Sequence, residues 1–206
     1  MMRPYEQMFN WPNLLTLLRI SVIPLLVVFF YLPFSWAHLT AAVLFAIASI
    51  TDWLDGYLAR YLKQSTKLGA FLDPVADKLM VSIALVLIVA EPTFQFVSIP
   101  STVVSIPAAA IAIPAAVIVA REIIVSALRE WMAEIGKRAS VAVSSLAKFK
   151  TAVQMLALVV LLYCDNTTSA TLIFVGYILL YISAVLTIWS MLIYLKAAWS
   201  QLVSAE

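Results

Sequence analysis

Four aspartates are gathered between residues 52 and 77, in the stretch D-W-L-D-G-Y-L-A-R-Y-L-K-Q-S-T-K-L-G-A-F-L-D-P-V-A-D. Asp52 and Asp55 stand three apart and Asp73 and Asp77 four apart, so on helical flanks each pair projects from one helix face. Only Arg60, Lys63 and Lys67 lie between the pairs as basic residues. So many carboxylates ask for a further counter-charge. Hard divalent cations take oxygen ligands, and two facing pairs could hold two ions about 3.5 to 4 Å apart, an arrangement suited to phosphoryl chemistry. Any one of these aspartates is as readily a cap or a helix-dipole partner, but four on adjacent segments are not explained that way.

The elements that must position them are apolar. At 206 residues the chain is 64% hydrophobic and only 12% charged, the composition of a membrane protein. A carboxylate inside a membrane helix costs about 2.5 to 3.5 kcal/mol on insertion scales, so four need partners. The single cysteine, Cys164, excludes an internal disulfide, and with only His38 beside it a zinc or haem site is not expected. A net charge of +2 gives no footprint for nucleic acid, and no such partner is expected.

Residues 1–12 carry Tyr5, Met8, Phe9 and Trp11 at near-helical spacing and read as an interfacial segment. Pro12 and Asn13 then punctuate the chain, with Asn13 as N-cap of a first span over 14–31 that is long enough to cross a bilayer and has no cleavage site after it. Asn13, Thr16 and Arg19 recur along one face of that span; capping accounts for Asn13, and Arg19 could snorkel. Further spans are expected at 39–61, 70–90, 103–119 (kinked at Pro107 and Pro114), up to about 163, and 170–195. The helix-forming polar segment 121–150 would prolong the fourth and open the fifth. The fold expected is therefore an all-α membrane protein of six transmembrane helices, one domain over 1–206. On this reading all 13 Lys and Arg lie on the side of the termini, so those and the 52–77 turn are expected to be cytoplasmic. Positive-inside anchoring alone explains most of the basic set at 121–150, Arg138 and Lys150 in particular. Gly56 and Gly69 allow either close backbone approach to a ligand or helix packing through small residues, which Ala59 would also serve. No Walker-type loop is present, so phosphate must be held by metal, Arg or Lys.

Asp52, Asp55, Gly56, Ala59, Arg60, Gly69, Asp73 and Asp77 reproduce the pattern D-x2-D-G-x2-A-R-x8-G-x3-D-x3-D, and in this the chain resembles the CDP-alcohol phosphotransferases. The flanks P-N-L-L-T-L-L-R (12–19), T-D-W-L-D-G-Y-L-A-R (51–60), G-A-F-L-D-P-V-A-D-K (69–78) and A-R-E-I-I-V-S-A-L-R-E-W (120–131) are similar to bacterial members whose acceptor is glycerol 3-phosphate. The likeness covers nearly the whole chain, departing in the first dozen residues and in the Pro-rich stretch 93–114. It implies a homodimeric enzyme of the bacterial inner membrane, with a cytoplasm-facing cavity for CDP-diacylglycerol and two divalent ions, Mg2+ or Mn2+. Joining that lipid to glycerol 3-phosphate would give phosphatidylglycerophosphate and CMP. Carried over by position, Asp52, Asp55 and Asp73 are metal ligands, and Asp77 is a ligand and the general base. Asn13, Thr16, Gly56, Arg60, Thr66 and Gly69 would contact the CDP-lipid.

The acceptor phosphate calls for a basic pocket, drawn from Arg121, Arg129, Lys137 and Lys148. Arg121 and Arg129 are eight residues apart and could lean toward one cleft, although Glu122 and Glu130 beside them could make them structural ion pairs. Other readings are the same transfer to inositol phosphate, serine or a phospholipid, a divalent-cation transporter, and a purely structural protein. A transporter needs polar residues continuing along the spans, whereas the second and third are apolar beyond Thr40 and Ser82.

Overall fold

The structure, a computed structural model, describes residues 11–62, 67–99, 102–134 and 145–202. Of what is singled out above, the interfacial segment as far as residue 10, Lys63, Thr66, Lys137 and Arg138 lie outside that set, and of Asn13, Asp55, Gly56, Ala59, Arg60, Lys67 and Lys148 only the backbone is described. Among the described residues there are six α-helices: α1 (Trp11–Phe30), α2 (Ala37–Leu62), α3 (Lys67–Ala90), α4 (Ala109–Glu134), α5 (Ser145–Tyr163) and α6 (Ala170–Leu202). Among the described residues α4 and α6 are long and apolar enough to cross a membrane, and shorter apolar stretches occupy α1, α2 and α5.

Two expectations are corrected. Helix α1 starts at Trp11, so Pro12 sits in its first turn, where a missing N–H costs nothing, and Asn13 lies inside the helix instead of capping it. Nor is the region 103–119 one kinked helix. A 3₁₀ turn, Pro92–Phe94, leads into two strands, β1 (Phe96–Ile99) and β2 (Thr102–Ser105), and helix resumes only at Ala109. The strands are rich in β-branched Val, Ile and Thr, whose χ1 freedom suffers in a helix, and Pro107 biases the residue before it away from helical geometry. Among the described residues the fold is thus mainly helical, as expected, with one short β-hairpin added.

The core is mostly apolar but takes in polar side chains, and many large apolar ones are left on the outside. Thr16, Arg19, Ser183 and Thr187 are essentially fully buried, while Val28, Ile50, Val86, Ile123, Ile178, Val185 and Trp189 are exposed. Apolar side chains outward and polar ones inward is the pattern lipid demands.

The chain divides into two compact units. The first holds α1, α2, α3 and the end of α5 with its following turn. Within it α1 packs along both α2 and α3, which scarcely touch each other. The turn after α5 is closed by Asp165, whose carboxylate accepts from the Thr167 amide and from the hydroxyls of Thr167 and Thr168 at 2.7–2.9 Å. Partial burial pushes that carboxyl up, but these hydrogen bonds outweigh it and hold it below the usual range.

The second unit holds the hairpin, α4, the start of α5, and α6. Helices α4 and α6 pack side by side. Pro114 lies inside α4 and cannot donate to the carbonyl of Ala110 four residues back; the Tyr181 hydroxyl of α6 donates to it instead, at 2.8 Å. A helix fault in α4 is thereby mended by its neighbour.

Candidate active site

In the first unit α1 stands between the two aspartate-bearing helices. Thr16 and Arg19 are three residues apart, hence neighbours on one face of α1, and both are buried. The Thr16 hydroxyl donates to Asp73 Oδ1 at 2.5 Å, and the Arg19 guanidinium is ion-paired to Asp52 Oδ1. Arg19 therefore does not snorkel. Its side chain is 0% exposed against 35% for Asp52, so the pair has one buried partner and one reaching solvent. Asp77 follows Asp73 by four residues on α3 and shares its face. Gly69 is buried in the first turn of α3.

The donors described here, carboxylates of Asp52, Asp73 and Asp77 with the Thr16 hydroxyl, are all oxygen. They fit a hard divalent cation and would suit a soft or imidazole-seeking metal poorly. The bonds from Thr16 and Arg19 each engage one oxygen, of Asp73 and Asp52 respectively, and a carboxylate offers about four lone-pair sites.

The second unit carries a cationic centre. Arg121 of α4 donates from one guanidinium nitrogen to Glu122 Oε1 at 3.0 Å and from the other to Ser190 Oγ of α6 at 3.3 Å. Lys150 of α5 donates to the same Glu122 oxygen at 3.1 Å. Just over two turns beyond Arg121, Arg129 donates to the Tyr194 hydroxyl at 3.0 Å, with its guanidinium 5.2 Å from the centre of that ring. Both arginines thus turn toward α6. Arg121 and Lys150 are buried, Arg129 is exposed.

The ion pair expected between Arg121 and Glu122 is present. Lys150, expected only as an anchor, is buried in an ion pair with the same Glu122, and Ser190 and Tyr194 are partners that the sequence does not single out. A polar signal existed, because Ser183, Thr187, Ser190 and Tyr194 recur at helical spacing along the otherwise apolar α6.

A helical protein that turns large apolar side chains outward and buries two arginines and a lysine against half-buried carboxylates belongs with the membrane-embedded enzymes, where intramembrane ionisable groups mark function. The CDP-alcohol phosphatidyltransferase family matches residues 9–189, and the chain belongs to that family. It is 52% identical over 190 residues to the CDP-diacylglycerol–glycerol-3-phosphate 3-phosphatidyltransferase of Salmonella typhimurium (strain LT2), covering 92% of this chain and 95% of the relative. The protein of the same name from Pectobacterium atrosepticum is 53% identical over 190 residues, with the same coverage. That from Shigella flexneri is 50% identical over 195 residues, 95% of this chain and 98% of the relative.

Proposed function

We infer that this protein transfers the phosphatidyl group of CDP-diacylglycerol to sn-glycerol 3-phosphate, giving phosphatidylglycerophosphate and CMP. The observation that carries the reading is the eight-residue signature from Asp52 to Asp77, in a chain about half identical to transferases named for that reaction over nearly their whole length. An acceptor hydroxyl oxygen bonds to the phosphorus bearing the diacylglycerol, the pyrophosphate P–O bond to CMP breaks, and the hydroxyl proton passes to Asp77. Asp52, Asp55, Asp73 and Asp77 would hold two divalent ions, Mg2+ or Mn2+. Bound there, the ions supply neutralisation of charge on the pyrophosphate oxygens and on departing CMP.

Thr16 and Arg19 fix the Asp73 and Asp52 carboxylates, so the ligand set is oriented before substrate arrives. Asn13, Thr16, Gly56, Arg60, Thr66 and Gly69 line the CDP-lipid side. Arg121, Arg129, Lys137 and Lys148, now joined by Lys150, form the acceptor side, and Arg129 is exposed and so open to an incoming phosphate. The chain acts as one domain of six transmembrane helices with a leading interfacial segment, a homodimer in the bacterial inner membrane with its active site toward the cytoplasm. The one-sided distribution of its 13 Lys and Arg supports that orientation.

Product identification tests this reading. Detergent-solubilised protein, incubated with CDP-diacylglycerol, labelled glycerol 3-phosphate and magnesium, is expected to yield labelled phosphatidylglycerophosphate and stoichiometric CMP. CMP release only with inositol phosphate, serine or a phospholipid would keep the transfer and replace the acceptor. No CMP with any of them would overturn the enzyme.

A further inference from the structure

The hairpin of β1 and β2 has two unlike faces. Its antiparallel register pairs Phe96 with Ser105, Val97 with Val104 and Ile99 with Thr102, so Phe96, Val103 and Ser105 share one face and Val97 and Val104 the other. Val97 is fully buried, and so is Phe94 just before it, edge-on to the Tyr177 ring of α6. The Tyr177 hydroxyl donates to the Phe94 carbonyl at 2.7 Å, and the Ile106 amide closes the hairpin base onto the Gln95 carbonyl at 2.8 Å. The inner face is thus fastened to α6 near that helix's start.

The outer face is open and uncharged, its apolar positions Phe96 and Val103 paired in register with Ser105 and Ser98. Phe96 and Val103 are 59% and 62% exposed, and no charged residue occurs from Pro92 to Ala120. The surface continues in the same chemistry along the first turns of α4, through Ile113, and of α6, through Phe174 and Ile178. These are the two helices long and apolar enough to cross a membrane, and the hairpin lies at the end where both begin. Depth is limited by the backbone. A two-stranded sheet has two edges of unpaired amides and carbonyls, which hydrocarbon does not tolerate and the hydrated headgroup boundary does.

We propose that strands β1 and β2 form an interfacial anchor, the face that carries Phe96 and Val103 resting on phospholipid at the headgroup–acyl boundary beside α4 and α6. Attachment is through apolar burial and does not use headgroup charge, since the segment has none to offer. On the six-span reading this is the leaflet opposite the carboxylates. The anchor fixes the depth of α4 and α6, the helices that carry the cationic centre.

Spin labels read the proposal directly. Val103→Cys and Phe96→Cys, each with Cys164→Ala, are labelled in the full-length protein reconstituted into phosphatidylcholine vesicles, with Asn166→Cys in the exposed turn as the aqueous control. Relaxation by oxygen is expected to exceed that by a water-soluble nickel chelate several-fold at 96 and 103, with the reverse at 166. The values at 96 and 103 are expected to be unchanged in vesicles containing phosphatidylglycerol. Chelate accessibility at 103 equal to that at 166 would place the face in water. Spin–spin broadening or a disulfide between copies at 103 would assign it to a second chain, and a rise in oxygen accessibility only with anionic lipid would make it a headgroup site; each overturns the anchor. Ser105→Cys, on the same face, carries the measurement if the larger replacements reduce expression.

Discussion

Arg19 of α1 reaches Asp52 of α2 with its own side chain entirely buried, so a presumed metal ligand is also the counter-ion of a buried cation. Removing one partner of a buried pair costs about 3–5 kcal/mol, and the lower end applies here because 35% of Asp52 is exposed. Asp52→Ala is therefore expected to lower thermal stability in detergent as well as turnover. Adding Arg19→Leu should recover most of the stability and none of the activity. Recovery of neither would mean that Asp52 does not serve as the counter-ion.

Arg129 and Tyr194 make a second testable pair. Arg129→Ala removes a charge-assisted donor and should raise the Michaelis constant for glycerol 3-phosphate by an order of magnitude, about 1.4 kcal/mol, leaving that for CDP-diacylglycerol nearly unchanged. Tyr194→Phe deletes the hydroxyl that fixes the guanidinium but keeps the ring beneath it, so its effect should be smaller and in the same direction. Steady-state kinetics with each substrate varied in turn checks both. An acceptor constant unmoved by Arg129→Ala would shift the phosphate pocket elsewhere.

The helices and the aspartate pairs were legible in the sequence because apolar length and residue spacing are local signals. What α1 does was not. Thr16 and Arg19 appear in the sequence only as a polar stripe, and the choice between snorkelling and ion pairing depends on which helix lies alongside. Lys150 illustrates the same limit: the positive-inside pattern treats a basic residue near a span end as an anchor, and only packing brings Glu122 to it. The hairpin was hidden differently, since F-V-S-I and T-V-V-S are short enough to merge with the apolar run that follows, and two prolines there suggest a kink as readily as a turn.

The Tyr181 bond to Ala110 depends on Pro114. Tyr181→Phe should destabilise by about 0.5–1.5 kcal/mol, the net worth of a hydrogen bond at an exposed position. In a Pro114→Ala background the restored amide takes that carbonyl, so Tyr181→Phe should become nearly neutral. Unfolding of the four proteins of this double-mutant cycle in one detergent gives the coupling directly. A coupling of zero would show that the hydroxyl does not compensate for the proline.

The cationic centre around Glu122 supports the last prediction, which separates charge balance from packing. Wild type holds two cations, Arg121 and Lys150, on one carboxylate oxygen, so Glu122→Gln leaves two positive charges facing each other with no counter-ion. Lys150→Met instead leaves Arg121 and Glu122 as a neutral pair beside an apolar side chain of similar length. Glu122→Gln is therefore expected to be the more destabilising, by about 2 kcal/mol or more, because an unpaired buried charge costs more than a missing pair. An anion entering this centre would restore the balance. Glycerol 3-phosphate, and inorganic phosphate more weakly, should raise the melting temperature of Glu122→Gln more than that of wild type, by mass action on the folded state. Lys150→Met should lose the response. Equal melting temperatures for the two variants, with no ligand response in either, would mean that packing holds these side chains and that the centre has no claim on the acceptor's phosphate.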